Sequence, residues 1–563
     1  VAHFSRICQL LYEKGSELKE TDAQRKMKGR AVLLGNQVFD AQFEWAEFQE
    51  LSSAPPSMEA ARAADALGLF PGYTQMQSDA ISAYTQAYLR GPTTWVVLPR
   101  ERWPPHWEKL GYSDPVVPLI LALYGHPDAG GYWEEQCDTA VKACGWTDLK
   151  DSGWRSTYWH PREKALLVIY VDDFNLSAPV KSHDRLWADL MKRLNLEKPS
   201  APDRFLGCYK RAFQCKAKDL EMILKNKPEL YPRGKSKAEE GDPLPLSSLK
   251  EYRADTSVRG YMYDMEEYLT KNVERYLKDT GTKGPLKRVD TPFVDEAREP
   301  MGCTVLDDEA EPLTVKGKSS GKSTTAKAAV PASAYDDEQS SKPGPGFNTC
   351  AAGILMQNMY SSRMARNDTL RAVGHLSTHL TKWTRTEDAK LHRLMSYINA
   401  SKGMRQVGFI GDTADKLSLA LYADSDLAGD RRDCKSTSGI FLVLVGPQTF
   451  YPLGAISEKQ TATSHSSPEA ELVALNQAIK DEGIPALDLW SLILGRNDSN
   501  PLVLTLYENN QAAAQIVRTG KTPKLRHVKR VHGISISFLN DQYRKKLFTL
   551  SDCHPKAQAA DLF

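Results

Sequence analysis

The sequence has few of the features that mark whole classes of protein. No apolar run approaches the length of a membrane span and no signal peptide is visible, so no membrane partner is expected. The nine cysteines are scattered, with no CxxC and no Cys/His spacing suited to zinc; Cys137 and Cys144 come nearest to a pair. Such usage points to reduced thiols in an intracellular protein. Charge is nearly balanced, at +2, so affinity for nucleic acid must come from local basic patches rather than a global field. There is no internal repeat. There is also no initiating Met: the chain starts at Val1 and is expected to be a processed product or a piece of something longer. What is present is ordinary globular chemistry, 41% hydrophobic and 26% charged. A length of 563 residues exceeds one core and predicts two to four domains.

The most informative stretch is Tyr170-Val171-Asp172-Asp173. The apolar run 165–169 precedes it and Phe174-Asn175-Leu176-Ser177-Ala178 follows, which predicts a β-hairpin with two carboxylates at its tip. Two ionised carboxylates about 4 Å apart repel by roughly 4 kcal/mol at an effective dielectric near 20. A divalent cation removes that penalty. A lone Asp-Asp would read as a polar surface turn; the flanking strands and the preceding Tyr-Val favour the cation.

Organisation along the chain is uneven. Residues 27–208 mix short apolar strands with helical segments, and 210–250 look like a charged, Pro-containing surface insertion. Helical periodicity returns over 261–278, where Met262, Met265, Tyr268, Leu269, Val273, Tyr276 and Leu277 form a stripe. The composition over 297–346 is that of a flexible linker. A helical stretch follows over 350–402, then alternating strands and helices from 417 onward. Gly317 to Ser323 imitates a phosphate-binding loop, but has three residues between its glycines where four are required, and neither a strand before it nor a helix after it.

Tyr170 to Asp173 resembles the active-site hairpin of reverse transcriptases, and other segments fall in order with the copia-type retrotransposon polymerases. Gln75 to Tyr84 is similar to their Q-M-D-V-x-x-A-F, one residue longer at Gln77-Ser78. The resemblance makes Asp79 a metal ligand and Tyr84 the aromatic that blocks a ribose 2′-hydroxyl. Lys28-Gly29-Arg30-Ala31-Val32 resembles K-A-R-L-V, whose basic side chains, here Lys28 and Arg30, meet the incoming triphosphate. Leu123-Tyr124-Gly125 with Ala129 and Trp133 resembles L-Y-G-L-K-Q-A-P-R-A-W, with Asp128 in place of Gln and Gly131 in place of Arg. Phe205-Leu206-Gly207, Thr291-Pro292 and Arg366-Asn367-Asp368 stand where that family has F-L-G, T-P and R-P-D-I.

The C-terminal third resembles the ribonuclease H domain of the same elements. Tyr422 to Asp430 and Lys435 to Gly439 are similar to Y-S-D-A-D-W-A-G-D…K-S-T-S-G, and Ser466 to Leu472 to S-S-T-E-A-E-Y. Strands at 417–422, 440–445, 449–456 and 502–507 and a helix presenting Glu471 are expected. The resemblance implies metal ligation by Asp424, Glu471 and Asp561. It also marks a departure, because Asn509 stands where an Asp is expected. An amide brings no charge and bridges cations poorly. Glu508, next to it on a strand, is expected to point to the opposite face. The basic segment 518–546, with His527 and His532, resembles R-T-K-H-I-D-I-R-Y-H-F and suits a phosphate backbone.

The resemblance implies an α+β right-hand polymerase (fingers, palm, thumb) followed by a mixed α/β ribonuclease H-like domain. The expected division is an N-terminal flank 1–26, fingers and palm 27–208, insertion and thumb 209–296, linker 297–346, helical connection 347–414 and ribonuclease H-like 415–563. Asp79 and Asp172 would hold Mg2+ (or Mn2+), with Asp173 supporting the hairpin. Partners would be an RNA template, a DNA primer, dNTPs, RNA-DNA hybrid and other segments of the same polyprotein. The expected location is cytoplasmic, in a virus-like particle, with nuclear entry of the product complex. The alternative is a decayed element that folds and binds nucleic acid without turnover.

Overall fold

The computed structural model of the chain describes residues 2–14, 25–48, 55–205, 207–220, 253, 255–293, 346–430, 433–522 and 525–563. Leu206, most of the charged insertion, nearly all of the linker and the loop at 317–323 lie outside the described residues. The fold is mixed α/β and divides into two compact units, Val1–Pro202 and Asp203–Phe563. No helix among the described residues is long and apolar enough to cross a membrane.

The first unit contains strands β1 (Ala2–Lys14), β2 (Lys26–Leu33), β3 (Tyr73–Asp79), β4 (Thr93–Val97), β5 (Val116–Pro118), β6 (Thr147–Leu149), β7 (Trp154–His160), β8 (Ala165–Tyr170) and β9 (Asp173–Pro179). They form two sheets, ordered β2-β1-β4-β5 and β3-β9-β8-β7-β6. The second is antiparallel throughout. Five of the six residues of β8 and five of the seven of β9 are buried, the pattern of strands covered on both faces. The helix Met58–Gly68 packs on β3, β8 and β9. It is rich in alanine and ends at Gly68, where an added Cβ would lie 2.7 Å from the Cβ of Gln75, so helix and sheet meet almost backbone to backbone. The core gathers Trp133, Leu167, Ile169, Phe174, Leu176, Leu186 and Trp187 from β8, β9 and the helices Ala129–Lys142 and His183–Met191, with Trp146 from the turn before β6.

The second unit contains β10 (Arg204–Phe205), β11 (Cys208–Lys216), β12 (Ser257–Asp264), β13 (Gln406–Ile410), β14 (Ser418–Ser425), β15 (Thr437–Gly446), β16 (Thr449–Lys459), β17 (Leu504–Glu508) and β18 (Thr549–Asp552). They make one sheet in the order β10-β11-β12-β13-β16-β15-β14-β17-β18. From β16 to β14 the neighbours are antiparallel, whereas β14, β17 and β18 run parallel. The helix Ser467–Gln477 packs on β14 and β15.

Two expectations are corrected here. The stripe over 261–278 is not one helix: β12 runs to Asp264 and the helix begins at Glu266. Tyr261 and Tyr263 are buried in strand alternation, and pairing with β11 and β13 satisfies the backbone. The Asp264 carboxylate then accepts from the Glu266 N–H at 3.0 Å and starts the helix. Likewise 210–216 is sheet rather than surface insertion, with Lys210 buried.

The helices Glu266–Thr280, Asn348–Met364, Leu370–Thr378 and Arg385–Ser401 pack on one another. Arg366 lies buried among them at 1% exposure. Its guanidinium donates to both Asp368 carboxylate oxygens, at 2.9 and 2.7 Å, and to Ser401. Removing one partner of such a pair leaves an uncompensated buried charge. Asp368→Asn should therefore destabilise the second unit by about 3 kcal/mol, read as a calorimetric transition several degrees lower. Arg366→Met with Asp368→Leu should lose less than the single variant. A double variant no better than Asp368→Asn would refute the charge argument.

Candidate functional site

Two groups of carboxylates sit where strands end. In the first unit, β8 and β9 are joined by the two-residue turn Val171-Asp172, with Tyr170 paired to Asp173. The register of β3 against β9 places Asp79 opposite Asp173, and residues opposite in an antiparallel pair share a face. The backbone ties the turn to β3, since Ala80 N–H donates to the Asp172 carbonyl at 2.7 Å. Asp79 is exposed, while Asp172 and Asp173 are half-buried. The structure thus gathers all three acids at one end of the sheet.

Aromatic side chains and a cation line the same end. Tyr84, on a short turn of helix at Ala83–Gln86, has its ring centre 4.6 Å from that of Tyr124. Arg30, on β2, holds its guanidinium 5.2 Å from the Tyr124 ring and 5.5 Å from Tyr12. Burial, with the Asp172 charge nearby, raises the phenol pKa of both Tyr84 and Tyr124. Lys28 is exposed on the same strand. Asp128 is nearly buried at the start of the helix Ala129–Lys142; burial raises its carboxyl pKa, and its own N–H donates to His126 Nδ1. The sequence placed Tyr124 in the Leu123-Tyr124-Gly125 motif but gave it no role at the site; next to it the positive φ of Gly125 turns the chain.

In the second unit Asp424 sits near the end of β14, and the Asn509 amide donates to it at 3.0 Å. Asp561 reaches the same carboxylate from the last turn of the chain. That turn is seated by Gln558, which donates to the Ala423 carbonyl at 2.9 Å. It also approaches Gly439 so closely that an added Cβ would lie 2.4 Å from the Ala560 carbonyl oxygen. Burial, then the Asp561 charge, pushes the Asp424 carboxyl up to about 6, against the Asn509 hydrogen bond.

Glu508 keeps the alternation expected of a strand, on the buried face of Leu504 and Leu506, yet it stands close enough to act on the other acids. It is 1% exposed, at the last position of β17, and its charge acts on Glu471. The backbone turns directly after it: Asn510 N–H donates to Glu508 Oε1 at 2.7 Å while Asn510 caps the next helix. Burial first, then the charges of Glu508 and Asp424, raises the Glu471 carboxyl pKa; burial, with the Asp424 charge, raises that of Glu508. Each keeps one buried carboxylate oxygen without a hydrogen-bond partner.

His527 and His532 also differ from expectation. They do not interleave with the basic side chains on an open face: their Nε2 atoms lie 3.0 and 2.9 Å from Glu469 Oε1. Burial would raise the Glu469 carboxyl, but the His465 N–H and the two imidazoles outweigh it and hold the pKa low. The basic segment is therefore pinned to the helix that carries Glu471.

Among the described residues no three His, Cys, Asp or Glu side chains close into a finished metal cage. Mg2+ does not require one, because it keeps several waters and binds through one or two carboxylates plus substrate phosphates. The all-oxygen donor sets fit it, and the unpartnered oxygens of Glu471 and Glu508 are what a hard cation would satisfy.

No known family profile matches the chain. The structure is similar to a foamy viral protease-reverse transcriptase in complex with double-stranded DNA, at 10% identity and a TM-score of 0.40, covering 97% of this chain and 66% of that one. It is also similar to a prototype foamy virus protease-reverse transcriptase mutant, at 12% identity and a TM-score of 0.19, covering 98% of this chain and 71% of that one. Likenesses this weak leave function to the sites' own chemistry. In sequence, 123 residues are 31% identical to secreted RxLR effector protein 161 of Plasmopara viticola, 22% of this chain and 82% of that protein. Through that stretch, the chain belongs to the same sequence family as secreted RxLR effector protein 161.

Proposed function

We propose that the chain is an RNA-directed DNA polymerase joined to a ribonuclease H-like nuclease, from a copia-type long-terminal-repeat retrotransposon. The observation that carries this is the register that sets Asp79 opposite Asp173, with Asp172 in the turn between β8 and β9 and Tyr84 and Arg30 beside it. Asp79 and Asp172 would hold Mg2+ (or Mn2+), which when bound supplies positive charge against phosphate oxygens. Arg30 would meet the triphosphate of a dNTP, and the Tyr84 ring would leave no room for a ribose 2′-hydroxyl. The primer 3′-hydroxyl oxygen forms a bond to the α-phosphorus; the bond to the bridging oxygen breaks and pyrophosphate leaves. The RNA template directs which dNTP is used.

In the second unit Asp424, Glu471 and Asp561 would hold the same cation against the RNA strand of a hybrid. Asn509 favours an impaired nuclease, since its amide occupies an oxygen of Asp424 and adds no charge. That is also the specific support for the second reading, a decayed element that binds nucleic acid without turnover. Assembly with other polyprotein segments in a cytoplasmic particle, and later nuclear entry, belong to this proposal.

Asp172→Asn should abolish primer extension on poly(rA) with magnesium while template binding stays nearly unchanged. Extension within tenfold of the parent would remove Asp172 from the mechanism. Asn509→Asp should raise RNA cleavage in a hybrid by about 10²–10³-fold, equivalent to roughly 3–4 kcal/mol in the transition state, and leave DNA synthesis unaltered. A parent that already cleaves briskly and gains nothing would assign the role to Glu508.

The raised carboxyl values of Asp424, Glu471 and Glu508 set a pH dependence. At these three groups the folded chain holds more protons than the unfolded one, so their contribution to stability is fully present below the ordinary carboxylate range and is lost as pH rises through the folded values. Glu508→Gln should stabilise the second unit at pH 8 by on the order of 1 kcal/mol, a few degrees in its transition, and do little at pH 4. Magnesium should give the parent a similar gain. Equal effects of the variant at both pH values would show that repulsion is not what Glu508 contributes.

A further inference from the structure

The turn that carries Asp172 is held in an unfavourable backbone conformation. Val171 has φ +57°, and among the described residues it is the one β-branched side chain at positive φ. A β-branched side chain is disfavoured there, where glycine would be relaxed. Something outside the turn must hold it. Packing from behind is incomplete, because a cavity of about 30 Å³, room for one water, lies under the turn, lined by Tyr84, Trp133, Cys137, Tyr158, Ile169 and Val171. Two polar ties remain. Ala80 N–H takes the Asp172 carbonyl from the β3 side at 2.7 Å. The Trp133 indole Nε1–H donates to the Val171 carbonyl at 2.6 Å. Trp133 is 2% exposed on the helix Ala129–Lys142, which anchors the indole from the far side of the turn.

We infer that Trp133 is a positioning residue for the polymerase site: its indole N–H clamps the strained turn and thereby fixes where the Asp172 carboxylate stands. This rests on the polymerase reading for its consequence, but the clamp is a property of the turn itself. Trp133 touches no reacting atom. Losing the donor lets Val171 relax toward negative φ and swings the adjacent Asp172 away, while the nucleotide contacts at Arg30 and Tyr84 stay in place.

Trp133→Phe keeps a ring and removes the donor. It is expected to lower kcat for nucleotide addition by roughly 10- to 100-fold, as misplacement of a reacting group by about 1 Å does, with KM for dNTP changed less than about threefold. Val171→Gly makes the positive φ free of side-chain strain. In that background the loss caused by Trp133→Phe should shrink at least fivefold. A packing role would give the same loss in both backgrounds, and that result overturns the inference, as does an effect confined to KM. A second measurement does not need activity or the Phe variant. In the parent labelled with 15N-tryptophan, the Trp133 indole proton should exchange slowly with solvent, and in Val171→Gly more quickly. Fast exchange in the parent would overturn the clamp. If the parent extends no primer and Asp172→Asn changes nothing, the polymerase reading fails, and indole exchange still decides the clamp.

Discussion

Like charges gathered where the backbone ladder ends are the constraint on which the rest of this structure depends. A strand end lets a side chain leave the sheet without breaking a backbone hydrogen bond, and it lets chain segments far apart in sequence deliver acids to one point. The second unit takes this further, with Glu471 and Glu508 each keeping a buried oxygen unpartnered. Burying carboxylates together opposes folding unless some remain protonated or a cation joins them. The fold therefore surrounds them with ties that have no other apparent work. Gln460 is one: its side-chain amide donates to Ser425, Ser438 and the Ala470 carbonyl, joining β14, β15 and the helix of Glu471 in a single buried knot.

Asn509 and Glu508 together show how such a site tolerates change. Had Asn509 been an acid, one more carboxyl group would crowd Asp424, with a few backbone N–H groups, at Ser425, Asn509 and Asn510, to relieve the cluster. The amide instead donates to Asp424 and lowers its pKa against the effect of burial. The exchange favours folding without a cation and weakens the pull on one. If the proposed magnesium binds here, stability and metal affinity would oppose each other at one atom. Glu508, buried beside it, keeps part of the negative potential that the amide gives up.

Much of this was legible in the sequence, and the parts that were not share a cause. The hairpin around Asp172 and the strands and helix that present Asp424 and Glu471 follow from local periodicity and turn chemistry, and they stand close to where those patterns put them. The helix expected over 261–278 was half wrong, because a tyrosine-rich strand and an amphipathic helix both scatter large side chains and only pairing with β11 and β13 decides between them. The approach of Glu508 to the other acids could not be read from alternation, which gives its face but not the Asn510 cap that bends the chain after it. His527 and His532 looked like part of a basic face because sequence records their neighbours and not the buried Glu469 to which they turn.

Gly439 shows why residues remote from the acids still belong to the site. Nothing in its own strand requires glycine, for its φ is not positive and it pairs regularly with Asp424 and Ser457. The requirement comes from the end of the chain, where the Ala560 carbonyl oxygen occupies the place a Cβ would take. That approach, with Gln558 bound to Ala423, is what holds Asp561 against Asp424. The turn Ala559–Leu562 is seated in a gap left by a strand far earlier in the sequence. Gly439 thus has a steric role independent of any charge: it is the seat of the turn that carries Asp561.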